Sequence, residues 1–238
     1  MTSEPFTFAT MLDDAALLSL EHQLHLEELL GEHRWSVDLQ HPRFEFTGDH
    51  PLRCTSFHLL GTAAPGPRSW LWSWANPQGY APQLTELAAS LRDFGTEFHI
   101  GELVEPEVPF SDLPGPPDHP AAAVSTLTEA AKIVSGHWTS YSGDAGGGTR
   151  AAFLIDHPQF ALPPPRPERV VRVLQQGIAE LALTDHRRAV YAYATRRPLA
   201  AEAAADWSSV RLTAAGLDLT ITFSGVRISS INASIGPA

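Results

Sequence analysis

Three tryptophans at alternate positions, Trp70, Trp72 and Trp74, in the stretch RSWLWSWANP (68–77) constrain the fold more than anything else in the chain. A period of two is the signature of a β-strand, because successive side chains point to opposite faces. The pattern predicts a central strand with all three indoles on one face and Leu71, Ser73 and Ala75 on the other. Asn76-Pro77 predicts its end, since proline has no N–H for a ladder and restricts the residue before it. Three large apolar groups on one face fit a packed core. Stacked indoles also make a platform for an aromatic or sugar ligand, or for bases. Both readings stay open at this level.

Composition narrows the class. Over 238 residues, 43% are hydrophobic and 18% charged, as in a globular chain rather than a disordered one. The formal net charge of −11 disfavours nucleic acid and anionic membranes as partners, since both need a basic surface. No apolar run approaches the roughly 18 residues of a membrane span. The opening MTSEPFTFATMLDD lacks the basic flank and apolar stretch of a secretory signal, so a cytoplasmic location is expected. One cysteine, Cys54, leaves no partner for an intramolecular disulfide and no thiolate zinc cluster.

In chain order, a leucine-rich helix is predicted over 12–31, capped by Asp13 or Asp14 and stopped by Gly31. Extended segments follow over 35–39, 44–47 and 52–60, the last joined to the tryptophan strand as a hairpin. A helix over 82–94 ends at Gly95. Six prolines between 106 and 120 predict a connector. Beyond it come a helix over 121–134, two strands (137–142 and 151–156) around a glycine-rich turn at 143–148, and a helix over 168–181. A further helix begins at Asp185 and runs through Arg196. Strands over 210–213, 217–223 and 226–231 form an antiparallel meander.

The two parts echo one another. RSWLWSWANPQ (68–78) is answered by RAAFLIDHPQ (150–159), each within a helix, hairpin, helix order. The fold class is therefore α+β: antiparallel sheets with helices packed on them, two similar helix–hairpin–helix halves and a C-terminal β-meander. The expected division is 1–105, a connector at 106–120, and 121–238, with one continuous domain as the alternative.

No constellation names a reaction. His22, His25 and Glu28 have helical spacing but spread too far round the helix to converge on a metal. Cys54 and His58 lie four residues apart on a strand, about 13 Å, beyond the reach of a nucleophile–base pair. SGDAGGGTR (142–150) lacks the lysine and the following helix of a phosphate-binding loop. The arginines 187, 188, 196 and 197 are the one basic concentration, read as surface ion pairing, with recognition of an anionic ligand or partner as the alternative. No catalytic residue, metal site or cofactor is assigned from the sequence.

The combination of WLWSWANP, LRDFG, GGGTRAAFLIDHP and DHRRAVYAYA resembles an uncharacterised family of bacterial proteins catalogued as a domain of unknown function. The resemblance covers about residue 53 to the C-terminus and implies no activity, ligand or catalytic residue. The leading expectation is a soluble, non-catalytic small-molecule-binding or regulatory protein with a cleft beside the tryptophan strand. Trp70, Trp72, Trp74, Asn76 and Arg150 are its candidate ligand-binding residues. One alternative is an enzyme of small-molecule metabolism whose groups converge only in the fold, with Cys54, His58, His137, Asp156 and His157 as the titratable residues to follow. The other is an acidic partner-binding protein of the immunity or antitoxin kind, engaging a basic protein. The sequence leaves the oligomeric state open.

Overall fold

The computed structural model describes residues 6–236, and among these no helix is long and apolar enough to cross a membrane. The described residues divide into two compact units, one formed by 6–8 together with 23–161, the other by 9–22 with 162–236. The proline-bearing stretch 106–120 lies inside the first unit. The passage between units falls at 161/162, beside the second proline run at 163–167.

In the first unit, α1 (Phe8–Leu30) contributes its C-terminal turns and ends at Gly31, whose φ of 59° only glycine adopts freely. Asp13 and Asp14 do not cap it, because the helix begins five residues earlier. The strands β1 (His33–Asp38), β2 (Arg43–Gly48) and β3 (Leu52–Arg53) make a small antiparallel sheet. A hairpin of β4 (Ser56–Ala64) and β5 (Ser69–Trp72) follows, then α2 (Pro82–Phe98), the single-turn α3 (Gly101–Val104) and β6 (Glu107–Pro109). After α4 (Pro120–Ser135), β7 (Ser140–Gly146) and β8 (Thr149–Asp156) form a second hairpin. Its two-residue turn is Gly147-Gly148, both with positive φ, the requirement of a type I′ turn.

Both hairpins belong to one five-stranded sheet of order β6-β5-β4-β8-β7. The tryptophan strand is thus second from an edge, and β4 is central. The echoing strands are β5 and β8, yet it is β4 that pairs with β8, so the likeness of the halves is local to the strand and the turn after it. Trp74 leaves the predicted strand: the chain turns into a 3-10 helix at Ser73–Ala75. Helix α2 runs past Gly95, where a Cβ would meet the Leu103 Cβ at 2.6 Å, so that glycine serves close packing against α3.

The sheet buries both faces. Phe57, Leu59, Phe153 and Ile155 join Phe44 and Phe46 of the small sheet and Leu26 and Leu30 of α1 in one aromatic-rich core. Phe44 lies 5.4 Å from Phe153 edge-to-face and is stacked with Trp35 at 5.6 Å. A bulge between Leu59 and Gly61 puts Gly61 and Ala63 on the opposite face, across from Trp72 and Trp70. Helices α2 and α4 cover that face. The two indoles meet edge-to-face at 5.3 Å with no exposed surface, and the Trp72 Nε1 donates to Glu102 O at 3.0 Å.

The second unit holds residues 9–22 of α1, α5 (Pro167–Glu180), α6 (His186–Arg196) and a sheet of order β12-β11-β10-β9. Its strands are β9 (Ala200–Ala203), β10 (Ser209–Ala214), β11 (Leu217–Ser224) and β12 (Arg227–Ile235). Val210, Leu212, Leu219 and Ile221 are its buried row. Carboxylates tie the helices together. Asp13 accepts from the backbone N–H groups of Thr184 and Asp185 at 2.8 and 2.9 Å, and from the Thr184 hydroxyl. Asp14 takes Arg188 in a two-bond fork, both contacts 2.7 Å. Glu21, 2% exposed, accepts from the Tyr193 hydroxyl at 2.9 Å and pairs with Arg197. Asp185 caps α6 through Arg187 and Arg188 N–H, as the sequence predicts.

Two outcomes follow. A Cβ on Gly61 would sit 2.4 Å from Leu71 O and 2.6 Å from the Trp70 ring. Gly61→Ala should therefore cost about 1–3 kcal/mol, read as a lower urea midpoint at unchanged slope, whereas an unshifted midpoint would contradict the packing of Trp70 on that glycine. In the second unit, the His186 Nε2 accepts from Arg227 at 2.8 Å. Burial first, and then the Arg227 charge, hold this histidine below its ordinary pKa, against Asp13 and Asp185. The folded value lies below the unfolded value of about 6.5, so its contribution is complete above that pH and is lost as pH falls toward the folded pKa. His186→Gln, neutral throughout, should lose less stability than wild type between about pH 7.5 and about pH 5.5; parallel urea profiles would refute this.

Candidate functional site

The cross-strand register of β4 with β8 sets Ser56 opposite Asp156 and His58 opposite Leu154. Side chains alternate, so Ser56, His58 and Asp156 share the helix-covered face at one end of the sheet, while Phe57 and Ile155 point into the aromatic core. The end of β8 is fixed by Thr55, whose N–H and hydroxyl both donate to Asp156 O at 2.8 and 2.9 Å.

His137 arrives from α4. That helix ends on Gly136 in the left-handed conformation, φ 74°, with its N–H on Lys132 O at 2.9 Å. The His137 N–H then bonds the Ser135 Oγ at 3.2 Å, and Thr139 O takes the Ile155 N–H at 3.0 Å. These bonds lay the imidazole over the carboxylate of Asp156.

The result is a compact cluster. His137 Nδ1 lies 3.0 Å from each Asp156 carboxylate oxygen. The Ser56 hydroxyl donates to Asp156 Oδ2 at 2.9 Å. The His58 and His137 rings are 5.4 Å apart, and one potential ligand atom from each of His58, His137 and Asp156 falls within 4.8 Å of the others. His58 Nδ1 is buried with no hydrogen-bond partner among the described residues. Burial, then the neighbouring His137, push the His58 pKa down, while Asp156 and Glu86 of α2 pull it up. Burial and the neighbouring imidazole together disfavour the protonated form of His58.

The other sequence-nominated residues lie elsewhere. Cys54 is in the aromatic core, its thiol pushed up to about 12 by burial and by the Asp156 charge, so it supplies no thiolate. His157 caps a 3-10 turn, its Nδ1 accepting from Gln159 N–H at 3.2 Å. His25 bonds Gln159 O at 2.9 Å. Trp70 and Trp72 present no surface. Trp74 is half-buried with the Arg92 guanidinium 4.9 Å over its ring, and Asn76 Oδ1 accepts from Gln78 N–H. Arg150 bonds Ser142 through its guanidinium at the opposite end of β8, about 20 Å along the strand from Asp156.

Sequence reasoning named His58, His137 and Asp156 as separate titratable residues and assigned no metal-ligand set. It missed Ser56 and Glu86, for which no local pattern exists: one enters through strand register, the other through helix docking.

No curated protein and no solved structure matches the chain. A family match spans residues 9–158, which takes in the whole cluster and leaves DHRRAVYAYA outside it, so the family's extent is the N-terminal part rather than residue 53 to the C-terminus. The chain belongs, over residues 9–158, to DUF6882, a family of unknown function.

Proposed function

We propose that the protein is an enzyme acting on a small molecule at the cluster of His58, His137 and Asp156, where it activates a water or a substrate hydroxyl for attack. The observation that carries this reading is the 3.0 Å contact of His137 Nδ1 with Asp156 beside a second, unpartnered imidazole. Imidazole and carboxylate are the side chains that most often serve as bases near neutral pH, and here they share one site. Ser56 holds the carboxylate from below, and the rigid strand pair keeps the geometry. The reading of a non-catalytic binder beside the tryptophan strand has less support, because stacking needs open ring faces and Trp70 and Trp72 have none.

A panel of carboxylic ester, lactone, amide and phosphoester substrates tests the assignment. Wild-type protein should turn over at least one class, and Asp156→Asn and His137→Ala should each lower kcat/KM by about 100-fold or more without changing the near-ultraviolet circular dichroism. Turnover that survives both substitutions, or a panel with no turnover at all, would contradict it.

A further inference from the structure

We infer that His58, His137 and Asp156 are the three protein ligands of a divalent transition cation of the zinc class. The inference rests on the preceding assignment for the location of the site, but its chemistry is separate.

The donor set comes first. Two imidazole nitrogens and one carboxylate oxygen match zinc and its first-row neighbours; calcium and magnesium prefer oxygen alone. The spacing agrees. Ligand atoms about 2.0–2.2 Å from a zinc ion stand roughly 3.3–3.5 Å from one another in a tetrahedron. Here His137 Nδ1 and the Asp156 oxygens are 3.0 Å apart, and the three donor groups close within 4.8 Å. The His137–Asp156 contact is what a protonated imidazole nitrogen makes with a carboxylate in the absence of metal. With the imidazole proton on Nε2 instead, Nδ1 and the carboxylate are two ligands already side by side.

The third donor makes the case specific. A hydrogen bond between His137 and Asp156 would explain those two residues without any ion. It does not explain why a ring nitrogen of His58 closes on the same pair, with its ring 5.4 Å from that of His137. A potential ligand atom of His58 lies within 4.8 Å of those of His137 and Asp156, close enough for one cation to be shared among the three. The supports are also of the metal-site kind. Ser56 donates to Asp156 Oδ2 and leaves Oδ1 to the ion, the outer hydrogen bond that orients a ligating carboxylate. The ligands come from two paired strands and the residue after a glycine-capped helix, elements that fix donors better than loops do. Three protein ligands leave a coordination position for water, as in catalytic rather than structural zinc sites. A water held by such a cation would ionise near neutral pH and would serve as the nucleophile of the proposed reaction.

The test uses the full chain, stripped with a chelator and titrated with cobalt(II) at neutral pH, followed by visible absorption and by calorimetry. One equivalent should bind and develop the intense visible bands of a four- or five-coordinate cobalt ion, zinc should displace it, and magnesium should not. Asp156→Asn and His137→Ala, checked for fold by circular dichroism, should each weaken binding at least about 100-fold. His41→Ala, at a histidine with a largely exposed side chain, should leave it unchanged. Absence of a 1:1 site, or binding equal in all variants, would overturn the inference. Turnover of a panel substrate by the stripped protein would also overturn it while leaving the location of the active site standing. A cobalt site in a protein without turnover would support the metal and remove the enzyme.

Discussion

The antiparallel pairing of β4 with β8 is the constraint on which the first unit depends. It joins two hairpins that are distant in sequence into one sheet, and its register decides which side chains face the helices. On one face it aligns Phe57, Leu59, Phe153 and Ile155 with the small sheet and α1. On the other it aligns Gly61, Ala63 and Ala152 as a shallow floor for Trp70 and Trp72, and it brings Ser56, His58 and Asp156 to one end. A slip of one residue would exchange the two faces and send the titratable groups into the aromatic core. The bulge at Leu59/Gly61 is part of the same device, since it moves a glycine under an indole that would reject any Cβ.

The same pairing explains why polar groups persist so close to a large core. The cluster occupies the strand end, where the ladder gives way to a helix terminus and backbone groups need side-chain partners. Thr55 and Ser56 satisfy Asp156 from the strand side, and Gly136 and Ser135 position His137 from the helix side. The second unit uses its carboxylates differently. Asp13, Asp14 and Glu21 all meet backbone N–H groups, arginines or a tyrosine hydroxyl, which makes them fasteners between helices rather than reactive groups.

Much of the secondary structure was legible because it follows local rules. Alternation marked β5 and the C-terminal meander, Gly31 and Gly136 marked helix ends, and Asp185 marked a helix start. The misreadings have long-range causes. Gly95 looked like a helix stop but is small because Leu103 packs against it. Asp13 and Asp14 looked like caps but bond residues more than 170 positions away. Strand β6 hid in a proline-rich stretch because an edge strand tolerates proline. The tryptophans left core and platform both open, because a period of two says only that they share a face, not what covers it; Trp70 and Trp72 are core. Nor does any local spacing join His58, His137 and Asp156: they meet through strand register and the exit of α4, which only the fold supplies.

The central claim is that this strand-end cluster is where a ligand atom sits. The most direct measurement is anomalous diffraction from crystals grown with one equivalent of zinc, collected on both sides of the zinc absorption edge. The account predicts one strong peak with bonds of about 2.0–2.2 Å to His58, His137 and Asp156. A zinc peak held by other histidines, with the space between these three residues empty, would contradict it.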